Sequence, residues 1–375
     1  MKRNMLILNK KIYTIFDVKS KYFSFDRLKY HLSKYKILES NINGNMEYRL
    51  HFLWFRYLHN LDNKIINKYL NIPTIIVNNI LGVDNITNKY LLYINLEKYF
   101  KDDMNFLPKT QLFSNETIFN NNIQILKPVK AIKTNLTMSS GKGIIICENL
   151  IQLQNAKKYL NDYDYIICQN YIKNPLLFKN KKFHIRIYMI STIINNIFNS
   201  YTIDYGRIFT SKNIFINDDY SNMMIHDTHY RYTDDDYIFP DDFLCNINKN
   251  TDNHTIENIL LQIKNILYKL SVILYDFVYQ QKNTLNSFHL FGIDIMIDDT
   301  FNVKLLECNK YPELTVEKND KKREEFNNIL FDLIDNIILS PVYTNKYNYT
   351  NEYNYTNNLI FTKSMKVSNN HKKIE

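Results

Sequence analysis

The stretch FGIDIMIDDTFNVKLLECNKYP, residues 291–312, restricts the fold more than any other part of the chain. Two apolar runs flank an Asp-Asp-Thr turn, the pattern of an antiparallel hairpin. Asp294 nevertheless interrupts the first run, and Glu307 and Asn309 close the second. With the turn centred near residues 299–302, Asp294 falls nearly opposite Glu307, while Glu307 and Asn309 share a face by alternation. A charge inside a sheet is costly unless something neutralises it. Two carboxylates and an amide oxygen converging on one face suit a hard cation, Mg²⁺ above all, completed by water and nucleotide phosphates. The competing reading is an ordinary solvated acidic face. Alternation turns Cys308 the other way and predicts a packed thiol.

A metal–nucleotide site also needs cations for the phosphates. KKFHIRIYMIS (181–191) reads as a strand with Lys182, His184 and Arg186 on one face and Phe183, Ile185 and Ile187 on the other. Arginine is scarce beside lysine in this chain, and a strand-centre guanidinium calls for a planar anionic partner. Lys127 ends IQILK, and Lys142 lies in SSGKGI, where Gly141 and Gly143 allow backbone N–H groups to approach an anion. There is no P-loop pattern and no kinase H-R-D set, and the GKG loop lacks the third glycine of a dinucleotide fingerprint. A nucleotide would have to be held by another architecture.

At 375 residues the chain suggests two or three packed units. Hydrophobic content of 45% with 23% charged residues describes a soluble globular protein rather than a disordered one. The net charge of +9 suits an acidic partner, but lysine accumulated through A+T-rich codon usage explains it equally well. Four scattered cysteines without CxxC spacing fit reduced thiols in the cytoplasm. Asn9 and Lys10 cut the N-terminal apolar run, and nothing approaches the roughly 18–20 apolar residues of a spanning helix, so no membrane role is expected. Helical spacing appears at 46–61, 88–100, 149–161, 257–281 and 323–339; strand-like runs appear at 122–129, 164–172 and 181–191, and 135–147 reads as a polar loop running into an apolar strand. The mixture is α/β or, with its late antiparallel signals, α+β. From Tyr343 a Tyr-Asn repeat without core-forming aliphatics reads as a mobile tail.

The ordered set ILKP, SSGKGI, IICQNYIKNPLLFKNKKFHIRIY, YGRIF, IHDTH and FGIDIMIDDTFNVKLLECNKYP resembles the tubulin–tyrosine ligase family, a branch of the ATP-grasp ligases. NKYLLYINLEKYF followed by FLPKTQLF adds to the likeness, which runs from about residue 85 to 338. The resemblance implies an ATP-grasp fold with the nucleotide between two lobes. Its parts would be an N-terminal domain (1–84), a central lobe (85–171), a catalytic lobe (172–340) and a low-complexity tail (341–375). Asp294, Glu307 and Asn309 match Mg²⁺ ligands. Lys127 and Lys182 match phosphate-contacting lysines, and Lys89 a further functional lysine; Lys142 joins the expected ATP-binding set. Gln169, Asn170 and Ile172 fall on the segment that holds adenine. Arg186 and Arg207, with Lys182, match cations near the transferred phosphate and reacting carboxylate, and Thr228 a ribose- or substrate-side threonine.

The implied reaction passes the ATP γ-phosphate to a carboxylate, giving an acylphosphate that an amine attacks to form a peptide or isopeptide bond. The implied partners are ATP, Mg²⁺, a free amino acid and an acidic protein acceptor such as a tubulin tail, not nucleic acid. Two departures stand out. His184 occupies a position where the family commonly has Asp, and His226, Asp227, Thr228 and His229 stand where it reads H-L-T-N. His226 and His229 could be two metal ligands, but no third ligand has matching spacing, and a satisfied structural pair or substrate contact is the simpler reading. The alternatives are a non-catalytic protein that keeps the fold to bind acidic surfaces, and a ligase for small molecules.

Overall fold

The computed structural model describes residues 13–16, 38–39, 52–54, 76–78, 80–113, 130–134, 144–149, 152, 166–228, 237–239, 243–244, 246, 251–281, 286–312, 337–338 and 359–364. Four short strands open the chain: β1 (Tyr13–Phe16), β2 (Leu38–Glu39), β3 (Phe52–Trp54) and β4 (Ile76–Asn78). They pair in parallel, and β3 lies between β1 and β4. This corrects the helix expected at 46–61. Phe52-Leu53-Trp54 has a sheet partner on both sides, and that pairing overrides helical spacing.

Helices α1 (Asp84–Thr87) and α2 (Lys89–Phe100) follow. Asn88 caps α2, its side chain accepting from the backbone N–H groups of Tyr90 and Leu91, so the helix starts at Lys89. Strands β5 (Thr110–Phe113), β6 (Lys130–Thr134), β7 (Ile144–Cys147) and β8 (Ile166–Asn170) form a small antiparallel sheet in the order β5-β8-β6-β7. The strand expected at the end of 135–147 and the one expected at 164–172 are therefore present. The expected strand at 122–129 lies outside the described residues, as do all but Ile337 and Ile338 of the helix at 323–339 and all but Asn149 and Gln152 of the helix at 149–161.

After β9 (Leu177–Phe178) come two long strands, β10 (Lys181–Ile194) and β11 (Ile197–Thr210). Asn195 and Asn196 join them, both with positive φ, the geometry a two-residue hairpin turn requires and asparagine tolerates. Next are α3 (Met223–His226), β12 (Tyr237–Phe239), α4 (Asn253–Gln280), β13 (Ser287–Ile297), β14 (Val303–Asn309) and β15 (Leu359–Ser364). The large sheet runs β12-β11-β10-β13-β4-β3-β1-β2, with β14 also paired to β13, β15 to β11 and β9 to β10. The N-terminal strands thus extend the sheet that carries the hairpin. Part of the expected mobile tail is also a strand: Leu359-Ile360-Phe361, just past the Tyr-Asn repeat, supplies the apolar residues the repeat lacks, and β15 lines the edge of β11.

Asp252 caps α4, and the helix buries Ile259, Ile263, Ile266, Leu270, Ile273 and Val278 against the sheet. They join Phe183, Ile185 and Ile187 of β10 in one core, which confirms the apolar face expected for that strand. Lys269, buried in α4, donates to Asp103 and lies 4.3 Å from the Phe106 ring, fixing the end of α2 on α4. Leu305 N–H of β14 donates to the Phe106 carbonyl at 2.7 Å. The segment that follows α2 is thereby held beside β14. Among the described residues no helix is long and apolar enough to cross a membrane.

Candidate functional site

One row of residues crosses four adjacent strands. Arg207 of β11 is the register partner of Arg186 of β10, Arg186 of Asp294 of β13, and Asp294 of Glu307 of β14. Two cations are followed by two anions. Adjacent arginines are tolerated because Arg186 turns to the far side, giving Asp294 a two-point contact: Nε to Oδ1 and Nη2 to Oδ2, both 2.7 Å. Burial alone would lower the Arg186 pKa, but the Asp294 carboxylate outweighs it and the guanidinium is held charged above its ordinary range. The planar anionic partner expected for Arg186 is therefore Asp294.

The β13–β14 hairpin is neutralised from within the fold. A cation–triphosphate complex was expected to balance its buried acid; the protein supplies that balance itself through Arg186. Glu307 likewise meets Lys89 Nζ at 3.1 Å, from the first residue of α2.

A β-bulge decides which residues meet. Ile295 pairs with Leu305, but Asp294 pairs with Glu307, so Leu306 is the extra residue. Without the bulge Asp294 would face Leu306. With it, Glu307 and Asn309 come to Asp294 while Leu305 and Cys308 both point into the core. Burial pushes the Cys308 thiol well up, as a packed thiol requires. Asn309 Nδ2 donates to Asp294 Oδ2 at 3.0 Å and to Glu307 Oε1 at 3.2 Å. The three groups thus converge on one point, and turning the amide over would bring Oδ1 there as a third oxygen. Two carboxylates and an amide form a hard-oxygen set that fits Mg²⁺, which needs few protein ligands. Among the described residues no group of three or more His, Cys, Asp or Glu competes with it.

Gly292 is register partner to Asn309 and lies beside Arg186. A Cβ there would stand 2.8 Å from Pro312 Cβ and 3.2 Å from Arg186 Cδ, so only glycine leaves room for the arginine to cross.

Beside the row, His184 stacks on Phe209 with ring centroids 4.9 Å apart, and its Nδ1 is 2.6 Å from Thr228 Oγ1. His184 Nε2 is 3.9 Å from Asp294 Oδ2. The guanidiniums of Arg186 and Arg207 lie 5.2 and 4.8 Å from the centre of the same Phe209 ring. Thr228, expected on the ribose or substrate side, is thus tied to the imidazole of His184. Lys182 Nζ donates to Tyr171 Oη at 2.6 Å. Gln169 Nε2 donates to Thr110 Oγ1 at 2.9 Å, linking β8 to β5, and Asn170 and Ile172 are half-buried where β8 leaves the small sheet.

Of the expected site residues, Lys89, Arg186, Arg207, Asp294, Glu307 and Asn309 meet along the row, with Thr228 next to it through His184. Lys182, Gln169, Asn170 and Ile172 gather at and beyond the end of β8. Lys127 and Lys142 lie outside the described residues. Phe209 and Tyr171 were missed. Alternation from Arg207 puts Phe209 on the same face, and Tyr171 directly follows the Gln169-Asn170 pair. Both ring nitrogens of His226 are engaged, by Tyr171 Oη at 2.7 Å and the Asp219 carbonyl at 2.7 Å, so it is a satisfied histidine rather than a metal ligand. His229 is outside the described residues.

The chain is 31% identical over 206 residues to tubulin glycylase 3D of Tetrahymena thermophila, covering 52% of this chain and 19% of that protein. It is 24% identical over 290 residues to tubulin polyglutamylase TTLL6 of Mus musculus, covering 69% and 33%. With tubulin polyglutamylase TTLL7 of Homo sapiens it shares 32% identity over 124 residues, covering 31% and 13%. The matches take in no more than a third of these relatives' own length. The family model for the tubulin-tyrosine ligase family matches residues 73–348, which include every strand of the charged row, and the chain is a member of that family, with its α+β, ATP-grasp-like fold.

Proposed function

We propose that this chain is an ATP-dependent ligase that joins an amino acid to a protein acceptor through an acylphosphate. The observation that carries the reading is the four-strand row ending in Asp294, Glu307 and Asn309. These three would hold Mg²⁺, which when bound supplies positive charge to phosphoryl oxygens. Lys89 keeps Glu307 oriented. Arg186 fixes Asp294 and, with Arg207, lines the face where phosphate and the reacting carboxylate would meet. Lys182, with Lys127 and Lys142, would contact the phosphates. Gln169, Asn170 and Ile172 would hold adenine where the small sheet joins the large one, dividing the chain near 171 into two lobes. Thr228 and His184 would face the substrate. Preorganised charges of this kind, aimed where phosphoryl charge develops, require no nucleophilic side chain.

The relatives' names point to tubulin as acceptor, and a net charge of +9 is compatible with an acidic tail. The test is label transfer: protein with Mg²⁺-ATP, labelled tyrosine, glutamate or glycine, and tubulin. Glu307→Gln and Asn309→Asp are expected to abolish transfer. Full activity in Glu307→Gln would overturn the ligand assignment. Transfer to another acceptor but never to tubulin would remove the acceptor alone. ATP binding without transfer to any acceptor would favour the non-catalytic binder.

A further inference from the structure

Lys182 is held by a hydrogen-bonded chain whose direction its chemistry fixes. The ammonium can only donate, so Tyr171 Oη accepts from it at 2.6 Å. His226 Nε2 faces the Asp219 carbonyl at 2.7 Å and must carry a hydrogen there. Its Nδ1, 2.7 Å from Tyr171 Oη, is then free to accept the phenolic hydrogen when the ring is neutral. Lys182, Tyr171 and His226 are 4%, 8% and 7% exposed. Tyr220 stacks on the imidazole with centroids 5.7 Å apart, and Tyr171 and Tyr220 pack on Ala131 and Ile146 of the small sheet. The chain therefore starts in the large sheet and is braced on the small one.

We infer that Tyr171 and His226 are positioning residues that fix where the Lys182 ammonium meets a nucleotide phosphate, with neutral His226 as the accepting end of the relay. The inference deepens, and rests on, the proposed phosphate contact of Lys182. A lysine stem is long and flexible, so an amine already aimed loses less freedom when the ligand arrives. The relay has one condition. A protonated imidazole carries hydrogen on both nitrogens, so Nδ1 could not accept from Tyr171, and a second positive charge would face Lys182. The groups facing the ring are Lys182, Tyr171, Tyr220, Asp219 and Glu148. Burial lowers the imidazole pKa below its ordinary 6.5 and Lys182 adds to this, outweighing Asp219 and Glu148. The relay is intact at neutral pH and breaks as pH falls well below 6.5.

The experiment compares wild type, Tyr171→Phe, His226→Phe and His226→Asn, all checked for native melting. Calorimetry measures Mg²⁺-ATP affinity from pH 5.5 to 8, and mass spectrometry measures the rate at which trinitrobenzenesulfonate labels Lys182 without nucleotide. Tyr171→Phe and His226→Phe are expected to weaken Mg²⁺-ATP roughly three- to tenfold at pH 7.5, the equivalent of one neutral hydrogen bond, and to speed labelling of Lys182. His226→Asn offers an amide oxygen in place of Nδ1 that cannot titrate. It should recover most of the affinity and, once ATP's own titration is subtracted, lose the acid-side weakening of wild type. Wild-type affinity and labelling in His226→Phe would overturn the inference, as would an unchanged acid limb in His226→Asn. Failure of every form to bind Mg²⁺-ATP would defeat the nucleotide reading instead, and the labelling rates would still decide whether the relay places Lys182.

Discussion

Asp294 and Lys182 are 1% and 4% exposed, yet the fold accommodates the two charges in different ways. Asp294 meets an opposite charge directly, through the two-point contact with Arg186 from the neighbouring strand. Lys182 is directed through a phenol and an imidazole, the second of which can change its charge. The first arrangement is self-cancelling with or without a ligand, so it works as a strut of the sheet. The second depends on conditions, which suits the phosphate contact proposed for Lys182.

The sharpest way to break this comparison is to remove one member of each arrangement. Asp294→Ala leaves the Arg186 guanidinium buried without its carboxylate and should destabilise the protein by about 3–5 kcal/mol, read from the urea midpoint. Lys182→Met should shift that midpoint less while weakening Mg²⁺-ATP; equal shifts would erase the distinction. Gly292→Ala probes the strut indirectly. Its Cβ would meet Pro312 and the Arg186 stem, and a loss of about 1–3 kcal/mol is expected.

A third buried group sharpens the contrast. His289 is fully buried, its Nε2 lies 2.8 Å from the Lys310 carbonyl, and its Nδ1 has no hydrogen-bond partner among the described residues. Burial pushes its pKa down to about 3. Below 6.5 the unfolded chain takes up a proton that the folded chain refuses. Its stabilising effect is therefore complete above pH 6.5 and declines as pH falls toward 3. Unfolding free energies from pH 7.5 to 4.5 should flatten in His289→Gln, and an unchanged slope would assign the acid sensitivity elsewhere. The smallest effect belongs to Lys89→Met. Both members of the Lys89–Glu307 pair are partly exposed, so the change should cost under about 1 kcal/mol. A larger loss would place this contact with Asp294 rather than at the rim.

Sequence periodicity revealed the strands that carry the site and hid how they register. The hairpin at 291–312, the apolar face of β10 and the helix ending at Gln280 all follow from spacing. The bulge at Leu306 does not, because a second leucine directly after Leu305 simply prolongs an apolar run and leaves no mark in the sequence. Arg186 was legible as a cation wanting a planar anion, but its partner lay 108 residues away, beyond the reach of local patterns. Tyr171 was hidden for the same reason, as was its contact with His226, 55 residues away. β3 misled because Phe-Leu-Trp satisfies helical spacing and a central strand alike, and only its parallel neighbours decide between them.

The row from Arg207 to Glu307 draws one residue from each of four strands, two of them on the far side of α4 from the other two. No short stretch of the chain can therefore display the site ahead of the rest. A nascent protein that has released only the first pair of strands shows cations, and a fragment holding only the later hairpin shows acids. The combination arises when the sheet closes, so competence to act doubles as proof that folding is finished.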